Sequence, residues 1–391
     1  METSCILLLE GRQAVLEHAS LLEELALRCD MAGAMNWLAY FLNAPGTERK
    51  TPCLALLLEA GADSLPTIEN TTAAVLCFEF RLAGICTGAF CTYDESGLQS
   101  VIAPAKDRPF VAAAVAGALM ERRGQAVVIA GGGATPDTAR MARLLARPDL
   151  LWACTNRLVD QTLELADTYE ATLMTLGKST RFNLRYYRRR LLQLLPCEVV
   201  RDARGFFSEA ELAAINKSSL NPVSATEFKL RYEAACTLPG GFLFGLRAEN
   251  GQWIGLVGGW RQGSTTVLHW QANSAGYEKY SIGTVVRSYF LENEVERGAR
   301  RLTIFKGTTH TMRHAFQQEQ VTDLIVRRKS FRAALIRAYA WLVSSPSGFK
   351  SRINFFTTRL CDPALQWRRV PDGELQGATH LASRLSADRQ L

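Results

Sequence analysis

Six cationic side chains lie between Lys178 and Arg190, in the run KSTRFNLRYYRRR. Guanidinium groups hold phosphate oxygens through paired hydrogen bonds, so a run this dense suits a phosphorylated ligand. On a helix, Arg181, Arg185, Arg188 and Arg189 share a face while Phe182, Tyr186 and Leu191 turn elsewhere. A helix N-terminus near Ser179 or Thr180 would add backbone donors and a favourable dipole. Lys178, Arg181, Arg185 and Arg188 are therefore candidate binding residues for a nucleotide-type or other phosphorylated molecule. The competing reading is a solvated helix face. Basic side chains interleaved with aromatics also suit nucleic acid, but the charge distribution argues against that partner. From Val321 onward there are twelve Lys and Arg against five Asp and Glu, an excess equal to the whole chain's net charge of +7, so the remainder is neutral.

A second polar group, Lys306-Gly-Thr-Thr-His310-Thr-Met-Arg313-His314, follows the strand-like run Leu302–Phe305. A strand that ends in a polar loop is where α/β proteins gather ligand groups. There Lys306 would pair with a phosphate or carboxylate, His310 would serve as general base, and Arg313 would clamp an anion, with His314 beside it. His310 and His314 stand four apart, as zinc ligands on a helix do. The Glu of an H-E-x-x-H site is missing, however, and position 313 is Arg, so no metal is expected. The alternative is that Thr308 or Thr309 caps a short surface helix bearing these side chains.

The elements that must position these groups are legible nearby. Thr265–Trp270 is β-branched and aromatic, and Asn273, Ser274 and Gly276 then supply turn chemistry, which predicts a strand running into a loop. From Ile282, the apolar residues Val285, Val286, Tyr289, Phe290 and Val295 recur at helical spacing until Gly298, which predicts a helix of roughly four turns. Leu302–Phe305 returns as a strand, giving a right-handed strand–helix–strand crossover. A fainter copy of the same order runs from the strand Gln99–Ala103 through the helix Phe110–Met120 to the strand Ala126–Ile129, and both helices close on Glu, Arg and Gly. This pattern predicts two similar α/β halves. The turn Glu249-Asn-Gly251 should join Phe242–Arg247 to Trp253–Trp260 as a hairpin. Gly131-Gly-Gly-Ala-Thr-Pro136 lacks the Lys-Ser/Thr of a P-loop and is expected to be a flexible turn.

The sequence LGKSTRFNLRYYRRRL (Leu176–Leu191), followed after about a hundred residues by the strand–loop–helix–strand ending in LTIFKGTTHTMRHAF, resembles the GNAT acyltransferases associated with bacterial cellulose and exopolysaccharide synthesis. The resemblance spans residues 152–328 and reaches the N-terminal half only by pattern. Relatives in the wider superfamily include the Fem peptidyltransferases, which carry two GNAT-like domains in tandem. It implies an α/β fold of two tandem GNAT-like (acyl-CoA N-acyltransferase) domains with mixed central sheets flanked by helices. The expected divisions are 1–150 as a scaffold or acceptor side, 151–345 as the acyltransferase domain, and 346–391 as a basic extension.

The same resemblance implies transfer from acetyl-CoA or another acyl-CoA to an amine or hydroxyl, on a small-molecule or sugar acceptor such as a nucleotide sugar or polysaccharide precursor. The pantetheine arm would lie between two splayed strands, and backbone N–H groups before the central helix would hold the pyrophosphate. That loop retains only Gly276 and Gly283 of a glycine-rich signature. Gly276, Tyr280, Ser281, Ile282, Gly283 and Thr284 become the cofactor-binding candidates, with Ser281 also a natural N-cap. Acyl transfer further needs a base, oxyanion donors and a proton for the leaving thiolate. His310 is the first candidate base; His269 is another if it faces the cleft, and a core histidine otherwise. Tyr280 is the candidate proton donor. Two alternatives remain: a Fem-like transferase using aminoacyl-tRNA, and a silent subunit that meets a polysaccharide-synthesis partner at a membrane.

The composition, with 48% hydrophobic residues, is that of a folded chain, and its length predicts two domains. No run of 18 apolar residues occurs, and the opening METSCILLLEGRQ lacks the basic flank of a secretion signal. A cytoplasmic protein is expected, peripheral at the inner membrane face if Arg327–Arg337 and the apolar stretch Ala333–Val343 lie on an anionic surface. Ten scattered cysteines with no C-x-x-C pair predict mostly buried thiols, Cys77, Cys86 and Cys91 among them.

Overall fold

The structure, a computed structural model, describes residues 5–329 except 32, 44–49, 60–64, 83, 96–97, 132–140, 142, 146 and 305–316. The first half contains β1 (Cys5–Glu10), α1 (Arg12–Glu17), α2 (Ala19–Arg28), α3 (Leu38–Asn43), β2 (Lys50–Leu58), β3 (Thr71–Leu82), β4 (Ile85–Thr92), β5 (Asp94–Glu95), β6 (Leu98–Gln99), β7 (Val101–Ile102), α4 (Arg108–Arg122) and β8 (Ala126–Ile129). The second runs through β9 (Leu150–Glu164), α5 (Tyr169–Thr175), α6 (Lys178–Leu194), β10 (Cys197–Val200), α7 (Glu209–Ser218), α8 (Ala225–Thr237), β11 (Gly241–Ala248), β12 (Trp253–Gln262), β13 (Thr265–Asn273), α9 (Ile282–Glu296), β14 (Arg301–Ile304) and β15 (Gln317–Arg328).

One 13-stranded sheet carries both halves, in the order β1-β2-β3-β4-β8-β15-β9-β14-β13-β12-β11-β10, with β7 attached to β3. Read outward from the centre, the two ends match. β4 pairs β8 in parallel on one side, β13 pairs β14 in parallel on the other, and the remaining ladders are antiparallel. α4 crosses between β4 and β8 as α9 crosses between β13 and β14. The repeat is therefore structural.

Its earlier copy needs one correction. The strand expected at Gln99–Ala103 is divided between β6, which pairs β5, and β7, which pairs β3. The true counterpart of β13 is β4, and the intervening β5–β7 segment hides it from a short-range comparison.

The halves exchange their last strands. β9 follows β8 in the chain yet pairs with β14, while β15 follows β14 and pairs with β8; the two also pair with each other from Thr162–Gln317 to Leu150–Arg328. Apolar residues alternate across these strands, so Ile325 enters the cluster that holds Ala153, while Leu324 and Val326 enter the one beneath α4. A boundary at residue 150 falls at the first residue of the shared strand β9.

In the second half α9 is pressed against the sheet because β12 is glycine-rich. A Cβ at Gly255 would lie 2.5 Å from Val286 Cγ2 of α9, while one at Gly258 would instead meet the Trp270 ring of β13 at 2.5 Å. Glu294, fully buried on α9, accepts hydrogen bonds from Arg261 Nε (3.0 Å), Arg261 Nη2 (2.6 Å), Thr266 Oγ1 (2.6 Å) and Asn293 Nδ2 (3.0 Å). These bonds tie the helix to β12 and β13. The helix ends as its sequence predicts, with Gly298 at φ +82° and Ala299 N donating to Glu294 O. The expected hairpin joins β11 and β12 through Gly251 at φ +84°. Cys77 and Cys91 are buried, and Cys86 is half-buried.

Candidate functional site

Among the described residues, the β13–β14 pairing ends beside the N-terminus of α9. The last β13–β14 rung is Leu268–Ile304. Beyond it, the loop after α7 closes on the end of β13: Ser219 bridges Ser274, Leu220 N donates to Asn273 O at 2.8 Å, and Ala275 N donates to Ser218 O at 2.7 Å. Between these two closures, residues 270–272 pair with β12 but with no strand on the β14 side among the described residues. A bulge between Gly258 and Gly259, opposite His269, adds a local bend there.

The side chains lining the α9 side of this edge are polar and joined. Arg287 Nε donates to Gln271 Oε1 at 2.7 Å, and Gln271 Nε2 donates to Asn273 Oδ1 (2.8 Å) and Gly283 O (3.2 Å). Burial draws the Arg287 guanidinium below its ordinary pKa, although it stays a cation. A side chain at Gly283 would crowd the two amides, since a Cβ would approach Asn273 Nδ2 to 3.1 Å and Gln271 Nε2 to 3.3 Å. The first turn of α9 contains no acidic residue.

Several expectations about the loop are refined. Gly276 takes φ +90°, which favours glycine. Ser281 occupies the N-cap position but in a left-handed conformation, and its hydroxyl makes no cap; its carbonyl instead accepts from Thr284 N (2.8 Å) and Val285 N (3.2 Å). Ile282 is buried against β12 and the helical core. Tyr280 is half-buried against the same core, with Lys279 Nζ 5.0 Å from its ring centre.

His269 lies on the opposite side of the sheet, enclosed by rings. Trp260 is 5.2 Å away between centroids, Tyr40 5.3 Å, and Trp37 and Phe41 6.3 Å each. Three of these rings come from the first half, around α3, and Trp37 lies tilted against Trp260 with centroids 4.2 Å apart.

The arginine helix, α6, packs against α9, and its cations divide between two jobs. Arg181 Nη1 donates to the carbonyls of Met174 (3.0 Å) and Leu176 (2.8 Å), which ties α6 to the preceding turn. Arg188 pairs with Glu292 of α9 and lies 3.9 Å over the Tyr289 ring. Burial opposes its charge, yet hydrogen bonds to Tyr289 and Glu292 outweigh burial and raise its pKa. Nearby, Tyr169 Oη and Ser288 Oγ share a 2.6 Å hydrogen bond. Arg185 pairs with Glu170, and Lys178 is exposed. The four arginines expected to present one phosphate-binding face are thus separated, with Arg181, Arg185 and Arg188 engaged by the protein itself. Lys306, His310, Arg313 and His314 lie outside the described residues, as does most of the Gly131–Pro136 run. Among the described residues no group of three or more His, Cys, Asp or Glu is arranged to hold a metal.

Gln271, Asn273 and Arg287 escaped the sequence reading. Their signal was faint: two amides at alternate positions of an otherwise apolar strand, and one cation on the buried side of an apolar helix.

The first half has the same plan but not the same edge. Beyond the β4–β8 rungs, Ala130 N donates to Thr92 Oγ1 at 2.8 Å and stitches the two strands together. Asp107 stands at the N-cap of α4, and Pro109 in its first turn lacks an N–H. A negative charge and a missing donor both disfavour an anion at that helix end.

No protein-family model matches the chain, and no curated protein matches it. Solved structures do. FemX aligns over 84% of this chain and 99% of its own, at 8% identity and a TM-score of 0.50. The C-terminal DUF2156 domain of a protein assigned as a lysylphosphatidylglycerol synthetase of Agrobacterium fabrum aligns over 83% and 96%, at 11% identity and a TM-score of 0.49. A tandem GNAT protein from the clavulanic acid biosynthesis pathway aligns over 83% and 99%, at 12% identity and a TM-score of 0.43. At these identities the likeness concerns the fold, which is the tandem GNAT-like α/β arrangement. Among the described residues no helix is long and apolar enough to cross a membrane.

Proposed function

We propose that this protein moves an acyl group from an acyl-CoA to an amine or hydroxyl, with the donor site in the second half. The observation that carries this reading is the β13 edge at residues 270–272, which has no strand on its β14 side among the described residues and lies beside an α9 first turn free of acidic residues. An extended amide-bearing arm can add to an open strand edge as a further strand. The first turn of α9 supplies the Ile282 and Gly283 N–H groups and a positive dipole end for a diphosphate, while the Glu278 carboxylate of the preceding loop takes the Gly276 and Glu278 N–H groups. The equivalent place in the first half is stitched shut by Thr92 and carries Asp107. That half therefore acts as scaffold, with α3 buttressing β12 and β13.

In the reaction, the acceptor's nitrogen or oxygen attacks the thioester carbonyl, the C–S bond breaks, and the acceptor's proton leaves to a base. We assign that base to His310 and the proton reaching the thiolate to Tyr280, with Lys306, Arg313 and His314 on an anionic acceptor. Arg287, fixed by Gln271, contributes positive charge near the β13 edge. His269, walled by four rings on the other side of the sheet, supports the bulge rather than the chemistry. A sugar-type acceptor from polysaccharide synthesis rests on the resemblance of Leu176–Leu191.

The test is thiol release from acetyl-CoA across a panel of amine and hydroxyl acceptors. His310→Ala should cut turnover on the order of a hundredfold or more with the fold intact. A folded variant with full activity would end the assignment, and no thiol release with any donor would end the acyl-CoA reading.

A further inference from the structure

The outward face of α6 is unused by acyl transfer, and its composition is specific. Lys178, Phe182, Arg185, Tyr186 and Arg189 follow one another at helical spacing on the side opposite buried Thr180, Leu184 and Leu191. Phe182 is 61% exposed and Leu192 49%, with Met174 of α5 at 63%. The Phe182 and Tyr186 rings lie nearly parallel, 5.9 Å apart. The helix contains no acidic residue, and among the described residues no ion pair engages Lys178, Arg189 or Arg190. Arg190 Nη1 donates to the Tyr186 hydroxyl at 3.4 Å.

Large apolar side chains held in water on a rigid helix mark an interaction surface. Cations flanking aromatic and aliphatic residues are the pattern of a helix lying in a membrane interface. We propose that this face of α6 docks on an anionic lipid bilayer. Phe182, Tyr186 and Leu192 enter the boundary between headgroups and acyl chains, and Lys178, Arg189 and Arg190 meet lipid phosphates. A nucleic acid would use the cations and the two rings but leave the exposed Leu192 and Met174 without a partner. Because Leu184, Leu191 and the Arg188–Glu292 pair already fix the helix, docking requires no folding step. This inference is independent of the acyl-transfer reading.

The experiment is co-sedimentation of the full chain with neutral phosphatidylcholine vesicles and with vesicles that also contain phosphatidylglycerol. Saturable binding to the anionic vesicles alone, weakened by salt, is expected. Arg189→Glu with Arg190→Glu should weaken it at least about tenfold, from ~1 kcal/mol per basic residue near such a surface. Phe182→Ser with Tyr186→Ser should weaken it with the charge unchanged. Circular dichroism verifies folding, and Arg189→Gln with Arg190→Gln serves if the charge reversal unfolds. No vesicle binding, wild-type binding by the folded charge variant, or binding of bulk tRNA through these residues without vesicle binding would each overturn the proposal.

Discussion

The Glu294 carboxylate makes a demanding prediction, because it is the fully buried charge that holds α9 to the sheet beside the β13 edge. Replacing Arg261 with Met leaves that carboxylate with two neutral donors, Thr266 Oγ1 at 2.6 Å and Asn293 Nδ2 at 3.0 Å. Orphaning a buried charge costs ~3–5 kcal/mol, a large share of the ~5–15 kcal/mol that holds a domain folded. Glu294→Gln should cost less, because Arg261 keeps a side chain 20% exposed and can turn its charge toward water. Thr266→Val removes a single hydrogen bond to a charged group, worth ~1.5–3 kcal/mol. The double replacement Arg261→Met with Glu294→Leu removes both charges and should return to within about 1 kcal/mol of wild type. Urea unfolding followed by circular dichroism and extrapolated linearly to water gives each value. Arg261→Met within about 1 kcal/mol of wild type, or a double variant no better than Arg261→Met alone, would refute the reasoning.

Two further outcomes follow from the same geometry. Because β9 and β15 complete each other's halves, chains 1–149 and 150–391 expressed separately should be insoluble or unfolded; a cooperatively folded first half on its own would contradict the exchange. Burial raises the Tyr169 hydroxyl above its ordinary pKa, so the stability it contributes is fully present below the unfolded value of about 10 and is lost as pH rises through the folded value. Tyr169→Phe should remove up to ~1.4 kcal/mol per pH unit from the alkaline slope of stability, and an unchanged slope would show that Tyr169 titrates as it does in water.

What the sequence disclosed was local. The period of α9, its Gly298 stop, the strand at Leu302 and the hairpin at Gly251 are each set by neighbours a few residues away, and each lies where expected. The strand exchange has no local signal, since β8 meets β15 about two hundred residues later in the chain and only three-dimensional pairing shows it. His269 presents the same difficulty: nothing near it announces that Trp37, Tyr40 and Phe41 surround its ring. The arginine cluster was visible, but an arginine that grips a ligand and one that grips Glu292 look alike until α9 is placed beside it. Ser281 looked like a side-chain cap because its residue type fits one. The left-handed backbone, set by the tight turn after Tyr280, aims its carbonyl at the helix instead.

The central claim is that the β13 edge beside α9 is a donor site. Its most direct measurement is calorimetric titration with acetyl-CoA and longer acyl-CoAs, with coenzyme A as control, on wild type and on Gly283→Val. A side chain at position 283 would crowd the Asn273 and Gln271 amides beside the helix N-terminus. The account predicts saturable micromolar binding to wild type and its loss in a folded Gly283→Val variant. Wild-type protein that binds none of these molecules, or a folded variant that binds them as tightly as wild type, would contradict it.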